Sequence, residues 1–173
     1  MPDTLEIASS RGLLRLRPER EDDLAFRLRL FGDSRPDLAL LPPAAREQLT
    51  ALQFRAQTMS YRAQFPAARF DIIELDGAAI GRIVVDRAGP AIQIVDQALA
   101  PPFRNLGIGS TIMRALLQEA GRTHRPLRLH VASNNDAAMR LYVRLGFVPV
   151  ETSAVYSELE WRAPAHAAES GRR

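Results

Sequence analysis

The chain has 173 residues, 46% of them apolar and 25% charged, which is ordinary for one folded domain with its own core. Its net charge is +3, and its strongly basic residues are all arginine, interleaved with acids along the chain, a dispersal that argues against nucleic acid as the ligand. Cysteine is absent, which excludes a disulfide framework, a thiolate nucleophile and a Cys-based metal site.

The three histidines, His124, His130 and His166, are too scattered for a metal cluster. No apolar run approaches the ~20 residues of a membrane span, so no membrane partner is expected. The opening Met1-Pro2-Asp3-Thr4-Leu5-Glu6 lacks the basic and apolar regions of a signal peptide. Cytoplasmic is therefore the expected location.

Residues 13–17 alternate and predict a strand that Pro18 ends. The acids Glu19, Glu21, Asp22 and Asp23 then open a helix, where negative charge complements the dipole. Leu24, Leu28 and Phe31 are its expected apolar side. Pro42-Pro43 starts a second helix that runs to about Gln64, with Leu49, Leu52, Ala56 and Met59 roughly on one face. Gln53, Gln57 and Tyr61 form a polar stripe on that helix, which reads first as a solvated face and second as a surface facing the acceptor. Strands follow at 70–75 and 79–86, joined by an Asp76-Gly77 turn, and at 91–99. A glycine-containing loop leads into a helix over 110–123. Next come a strand over 127–132, a helix over 136–145 capped by Gly146, and strands near 148–150 and 155–161. The order is β-α-α-β-β-β-α-β-α-β-β, one mixed sheet with helices on its faces. Residues 1–162 read as the domain. Residues 163–173 are small and polar and read as a disordered tail.

The sharpest motif is Arg104-Asn105-Leu106-Gly107-Ile108-Gly109, followed by Ser110 and a helix. A helix N-terminus offers unpaired N–H groups and a positive dipole end. Glycines let the backbone turn tightly and approach a phosphate. Arg104 adds a fixed charge. A Walker A loop would need lysine, and a dinucleotide fingerprint would need three spaced glycines early in the chain. Alone, the motif reads equally as an ordinary strand-to-helix turn.

A second segment runs His130-Val131-Ala132-Ser133-Asn134-Asn135-Asp136-Ala137-Ala138-Met139-Arg140-Leu141-Tyr142-Val143-Arg144-Leu145-Gly146-Phe147. Its Asn-x-x-Ala-x-x-Leu-Tyr-x-x-x-Gly-Phe pattern lies one helix and one strand after the loop. Together the two segments resemble the Gcn5-related N-acetyltransferase (GNAT) superfamily. The resemblance implies an α/β GNAT (acyl-CoA N-acyltransferase) fold: a single mixed, mostly antiparallel sheet flanked by helices, with splayed central strands. It implies acetyl-CoA as cosubstrate, its pantetheine arm against the backbone of Gln97, Ala98 and Leu99. N–H groups of Asn105, Leu106, Gly107, Ile108, Gly109 and Ser110, with Arg104, would hold the pyrophosphate. Asn135 would contact the arm, Tyr142 would protonate the departing thiolate, and a backbone N–H near Leu99 would polarise the acetyl carbonyl. The acceptor would be a small-molecule amine or a protein N-terminus, attacking directly in a ternary complex. A homodimer through terminal strands is a family-level expectation.

Side-chain chemistry leaves the general base open. His130 has a suitable unperturbed pKa of about 6.5. It lies five residues before Asn135, where ribosomal-protein alanine acetyltransferases of this superfamily place a glutamate, and strand alternation turns it away from Leu127, Leu129 and Val131. Many family members use a glutamate in the preceding strand. Here that position holds Gln93, and Asp96 is the only acid of that strand. The departure admits a second reading, a CoA-binding sensor or interaction module that does not catalyse. Tyr142 also reads as a core tyrosine, and Trp161 as core or dimer contact.

Overall fold

A computed structural model describes residues 4–164. The expected tail therefore lies outside the described residues, apart from Ala163 and Pro164.

The elements are Leu5–Ser9 (β1), Gly12–Pro18 (β2), Leu24–Asp33 (α1), Pro43–Gln64 (α2), Arg69–Leu75 (β3), Ala78–Asp86 (β4), Ile92–Leu99 (β5), Ile108–Thr123 (α3), Leu127–Ala132 (β6), Asp136–Arg144 (α4), Val148–Thr152 (β7) and Tyr156–Trp161 (β8). They build one eight-stranded sheet in the order β1-β2-β3-β4-β5-β6-β8-β7. Every neighbouring pair is antiparallel except β5 and β6. That parallel pair meets only at Ile92, Gln93 and Ile94, against Leu127, Arg128 and Leu129. Beyond them the two strands separate, as a splayed sheet requires.

Strand alternation divides the side chains between the two faces. On one face α3 and α4 cover an apolar core. Ile108, Ile112, Met113, Leu116 and Ala120 of α3 are buried there against Leu14, Leu16, Ile73, Ile83, Val85, Ile94, Leu129 and Leu159. Each fully buried Leu or Ile contributes about 1.5–3 kcal/mol, so this face carries most of the hydrophobic stabilisation. Ala138, Met139, Tyr142 and Leu145 of α4 pack on the same cluster. Gly146 ends α4 as expected, with the Phe147 N–H donating to the Tyr142 carbonyl at 3.0 Å. On the other face α1 and α2 cover Phe70, Ile72 and Val84, and here charge enters the interior.

Four expectations are corrected. The strand β1 precedes the first expected one and pairs with it through a tight turn, Ser9 opposite Gly12. Its short Leu-Glu-Ile-Ala-Ser run carries too weak an alternation to stand out. In α1 the buried positions are Arg27 and Leu30, while Leu24 is exposed. The acids before α1 form a short 3-10 turn, Glu21–Asp23, rather than its first turn; Asp23 is buried and ion-paired to Arg17 at 2.8 Å. In α2 the burial is inverted. Phe54 is buried and Gln53, Gln57 and Tyr61 are half-buried, whereas Leu52 is 64% and Met59 66% exposed. The polar stripe faces inward because the sheet beneath it sets charged groups, Arg82 and Asp96, among the apolar Phe70, Ile72 and Val84.

No described helix is long and apolar enough to cross a membrane. Among the described residues no group of His, Cys, Asp and Glu is placed to hold a metal.

Candidate active site

The site begins with an irregularity in β5. Val84 pairs with Asp96 and Val85 with Ile94, which leaves Val95 as an extra residue, a β-bulge. The bulge resets the alternation, so Gln93 and Asp96, three apart, share the face covered by α1 and α2. Gln97 and Leu99 turn to the α3 face. A second constraint comes from Gly81 on β4, where a Cβ would come within 2.4 Å of the Ala98 carbonyl oxygen. Only glycine lets the two backbones approach this closely.

The Ala100 N–H donates to the Ile80 carbonyl, continuing the β4–β5 ladder. By alternation the main-chain groups of Gln97 and Leu99 face away from β4, into the gap left by β6. There the Leu99 carbonyl accepts from Arg104 Nε at 2.8 Å. Arg104 Nη2 reaches the Asp33 carbonyl at 3.3 Å, so this side chain also ties the loop to the end of α1.

A cleft of about 860 Å³ opens in the gap. Gln97, Ala98, Leu99, Arg104, Asn105, Gly107, Gly109, Ser110 and Asn135 line it. The loop reaches it through two left-handed residues, Asn105 at φ 59° and Gly107 at φ 80°. The first-turn N–H groups of α3 thus end beside the cleft. Leu106 and Ile108 do not line it. Ile108 is buried and Leu106 packs on the core, so their side chains anchor the loop. Asn135 caps α4, its Oδ1 accepting from the Ala138 N–H at 3.1 Å, which leaves its amide hydrogens free to donate.

Tyr142 does not line the cleft, whose α4 side is formed by Ala138, Leu141 and Arg144; it packs on the core beside them. It is half-buried, its ring edge-on to Phe147 at 5.7 Å. Burial, and then the charge of Asp96, push its phenol above the ordinary tyrosine value.

A smaller cavity of about 110 Å³ shares Ser34, Gln97 and Ala98 with the cleft and continues beneath α1 and α2. Arg27, Phe54, Gln57, Arg82 and Asp96 line it. Asp96 keeps 28% of its side chain exposed, with Arg82 Nη1 3.7 Å from its Oδ2. Burial raises the Asp96 carboxyl above the ordinary aspartate value, against the opposing pull of Arg82. Tyr61 of α2 is pushed up to about 12, by burial first and the Asp96 charge second.

His130 joins neither cavity. It is exposed on β6, its ring edge-on to Tyr156 at 5.2 Å and its Nδ1 3.5 Å from Gln93 Nε2. Register places it on the same sheet face as Gln93 and Asp96. Sequence reasoning misses Arg27, Arg82 and Glu19. One signal was available: Arg82 interrupts the apolar run from Ile80 to Val85 of a central strand, where an unpaired charge is not tolerated.

A family model described as the acetyltransferase (GNAT) family matches residues 38–147. Among curated proteins, N-alpha-acetyltransferase 50 of Danio rerio is 28% identical over 99 residues, 56% of this chain and 59% of that protein. The chain thus spans about three-fifths of that relative's length. Among solved structures, PaiA N-acetyltransferase of Thermoplasma acidophilum in complex with coenzyme A superposes with a TM-score of 0.66 at 16% identity, covering 87% of this chain and 99% of that one. RimJ of Mycobacterium smegmatis in complex with CoA-disulfide gives 0.65 at 17% identity, covering 94% and 88%.

Proposed function

Since the chain belongs to the GNAT acetyltransferase family, we propose that it transfers the acetyl group of acetyl-CoA to a primary amine, of a small molecule or a protein N-terminus, by direct attack in a ternary complex. The carrying observation is the 860 Å³ cleft where β5 leaves β6, with the α3 loop at one end and the small cavity at the other. Such a shape suits a long, phosphate-ended cosubstrate whose reactive end meets an acceptor arriving from the α1–α2 side.

Acetyl-CoA supplies an activated acyl group, and the chain supplies placement and proton handling. The N–H groups at the start of α3 hold the pyrophosphate, helped by the helix dipole. The charge of Arg104 lies close by. Main-chain groups of Gln97 and Leu99 bind the pantetheine arm, and the Asn135 amide donates to it. The Leu99 N–H faces the charge that develops on the thioester oxygen. Tyr142, kept protonated by its raised pKa, donates a proton to the departing sulfur. Asp96 takes the proton of the amine. Two observations favour it over His130: it lines the cavity beside Ala98, and its raised pKa makes it a stronger base. His130, on the same sheet face, acts as an acceptor contact.

Thermal unfolding with acetyl-CoA, against ATP and NAD, tests the cosubstrate. At 100 times Kd a ligand adds about 2.7 kcal/mol, several degrees for a chain of this size. No shift at millimolar acetyl-CoA would sink the reading. A shift without thiol release on any amine would instead support the non-catalytic CoA-binding module, which Gln93 at the usual glutamate position favours.

A further inference from the structure

The small cavity is walled by more buried guanidinium N–H groups than its surroundings answer. Side chains in its walls keep only 9% exposure at Arg27 and 5% at Arg82. A guanidinium withdrawn from water needs acceptors for its N–H groups. Glu19 lies behind both arginines, its Oε2 3.0 Å from Arg27 Nε and 3.4 Å from Arg82 Nε. The angles are poor, and neither Nε completes a hydrogen bond to it. The other Glu19 oxygen is taken by Arg62 at 2.5 Å. Arg82 Nη2 is buried with no acceptor, and Nη1 reaches Asp96 only at 3.7 Å. Arg62 is 54% exposed and keeps water for its own charge, so the shortfall is one of acceptors: Arg27 Nε, Arg82 Nε and Arg82 Nη2 are buried N–H groups without a hydrogen-bond partner. The rings of Phe54, 5.4 Å from Arg27, and Phe70, 5.3 Å from Arg82, answer them only weakly. Burial is the first cause holding the Arg27 guanidinium below its ordinary value; Glu19 opposes it, and the charges of Arg82 and Arg62 add to it.

Resting on the acetyl-transfer reading above, we propose that this cavity receives a carboxylate, so that the acceptor is an amine with a carboxylate close to its nitrogen, as in a free amino acid. The volume, about 110 Å³, holds about four water-sized groups, enough for the head of an amino acid but not for a bulky side chain. Arg82 and Arg27 take the carboxylate, and Asp96 on the same wall takes the nitrogen. The remainder of the molecule stays in the wider cleft, which the cavity joins at Ser34, Gln97 and Ala98. A peptide N-terminus offers only a neutral carbonyl beside its amine, a weaker acceptor for these buried donors than a carboxylate. The same chemistry has one other source, the side-chain carboxylate of an acidic first residue.

The test compares kcat/KM for L-amino acids and for their C-terminal amides, with free thiol as readout. The α-amine of an amino-acid amide is less basic and more often neutral than that of the free acid, so the intrinsic bias runs against the proposal. A charged hydrogen-bonded contact predicts a preference for the carboxylate of roughly 10- to 100-fold. Arg82→Met should bring that ratio close to one, and Arg82→Lys should keep part of it, the fold of each being checked by its acetyl-CoA thermal shift. Should Arg82→Met not fold, Arg27→Met and the wild-type ratio decide. Equal use of acid and amide, or preference for the amide, overturns the proposal while the acetyl-CoA shift and thiol release leave the transferase reading intact. If neither these nor Asp-Ala-Ala is acetylated, calorimetric titration of the CoA-bound protein with L-amino acids decides, and absence of heat overturns it. A preference for Asp-Ala-Ala over Asn-Ala-Ala, with free amino acids ignored, supports the carboxylate and assigns it to an acidic N-terminal residue.

Discussion

The two faces of the sheet are built on opposite principles. Under α3 and α4 the interior is apolar, and polar function sits at its margin, in backbone N–H groups presented by the Asn105–Gly107 turn and in the cap at Asn135. Under α1 and α2 the interior itself holds Glu19, Arg27, Arg82 and Asp96. The first arrangement buries no unanswered charge and offers main-chain groups at its edge. The second stores charge in a place where charge is unfavourable unless answered. In the proposed function the first half is the socket for the cosubstrate, and the second is where discrimination between acceptors is most readily built.

The inverted burial of α2 is the sharpest way to break this contrast. Phe54 is buried, ring to ring with Phe31 at 5.8 Å and beneath the Arg27 guanidinium. Phe54→Ala should lose about 3–5 kcal/mol in denaturant unfolding. Leu52→Gln and Met59→Gln, on the side an apolar-face rule would bury, should change stability by no more than about 0.5 kcal/mol. If the two glutamine variants unfold easily and the alanine variant does not, α2 is rotated from its placement here and the polar stripe faces solvent.

How much of this was legible in the sequence follows the same division. Gly107, Gly109 and the Asn135–Phe147 pattern mark backbone shapes that few residue types permit, so residue identity alone betrays the cofactor side. The amphipathic spacing of α3 is equally plain, with Ile112, Met113 and Leu116 on one side of the helix. The acceptor side gave no such mark. Whether Arg82 is an error or a ligand depends on Glu19 and Asp96, which are distant in sequence and meet it only in the fold. Gln53, Gln57 and Tyr61 read as a solvated stripe because binary patterning sends polar residues outward, and it has no means of knowing that the floor below is charged. The bulge at Val95, which brings Asp96 to the face of Gln93, leaves no trace in composition.

Asp96 sharpens the contrast through pH. As the proposed base, its replacement in Asp96→Asn should lower kcat about 100-fold with acetyl-CoA affinity retained. Stability should move the other way. A carboxyl raised by burial favours the folded state below the ordinary aspartate value and loses that contribution as pH rises through its raised one. Asn is neutral at every pH, so the variant should melt above the native protein at pH 7. The gap should close towards about pH 4, where the native carboxyl is protonated. A variant that keeps full activity, paired with a His130→Ala variant that loses the acidic limb of kcat/KM, would move the base to His130.

The smallest effect tests the cofactor half, at Gly107→Ala. Gly107 sits at φ 80°, and a Cβ there would meet no atom within 4 Å. Any loss of stability must therefore come from the left-handed backbone alone, about 1–2 kcal/mol, or roughly 2–4 °C of Tm for each kcal/mol. Ligand affinity separates two reasons for the glycine. If acetyl-CoA binds the folded variant as tightly as the native protein, the residue serves the turn only. If affinity falls well beyond the loss of stability, the space above Gly107 belongs to the pyrophosphate, and the missing Cβ is what lets the backbone N–H groups reach it.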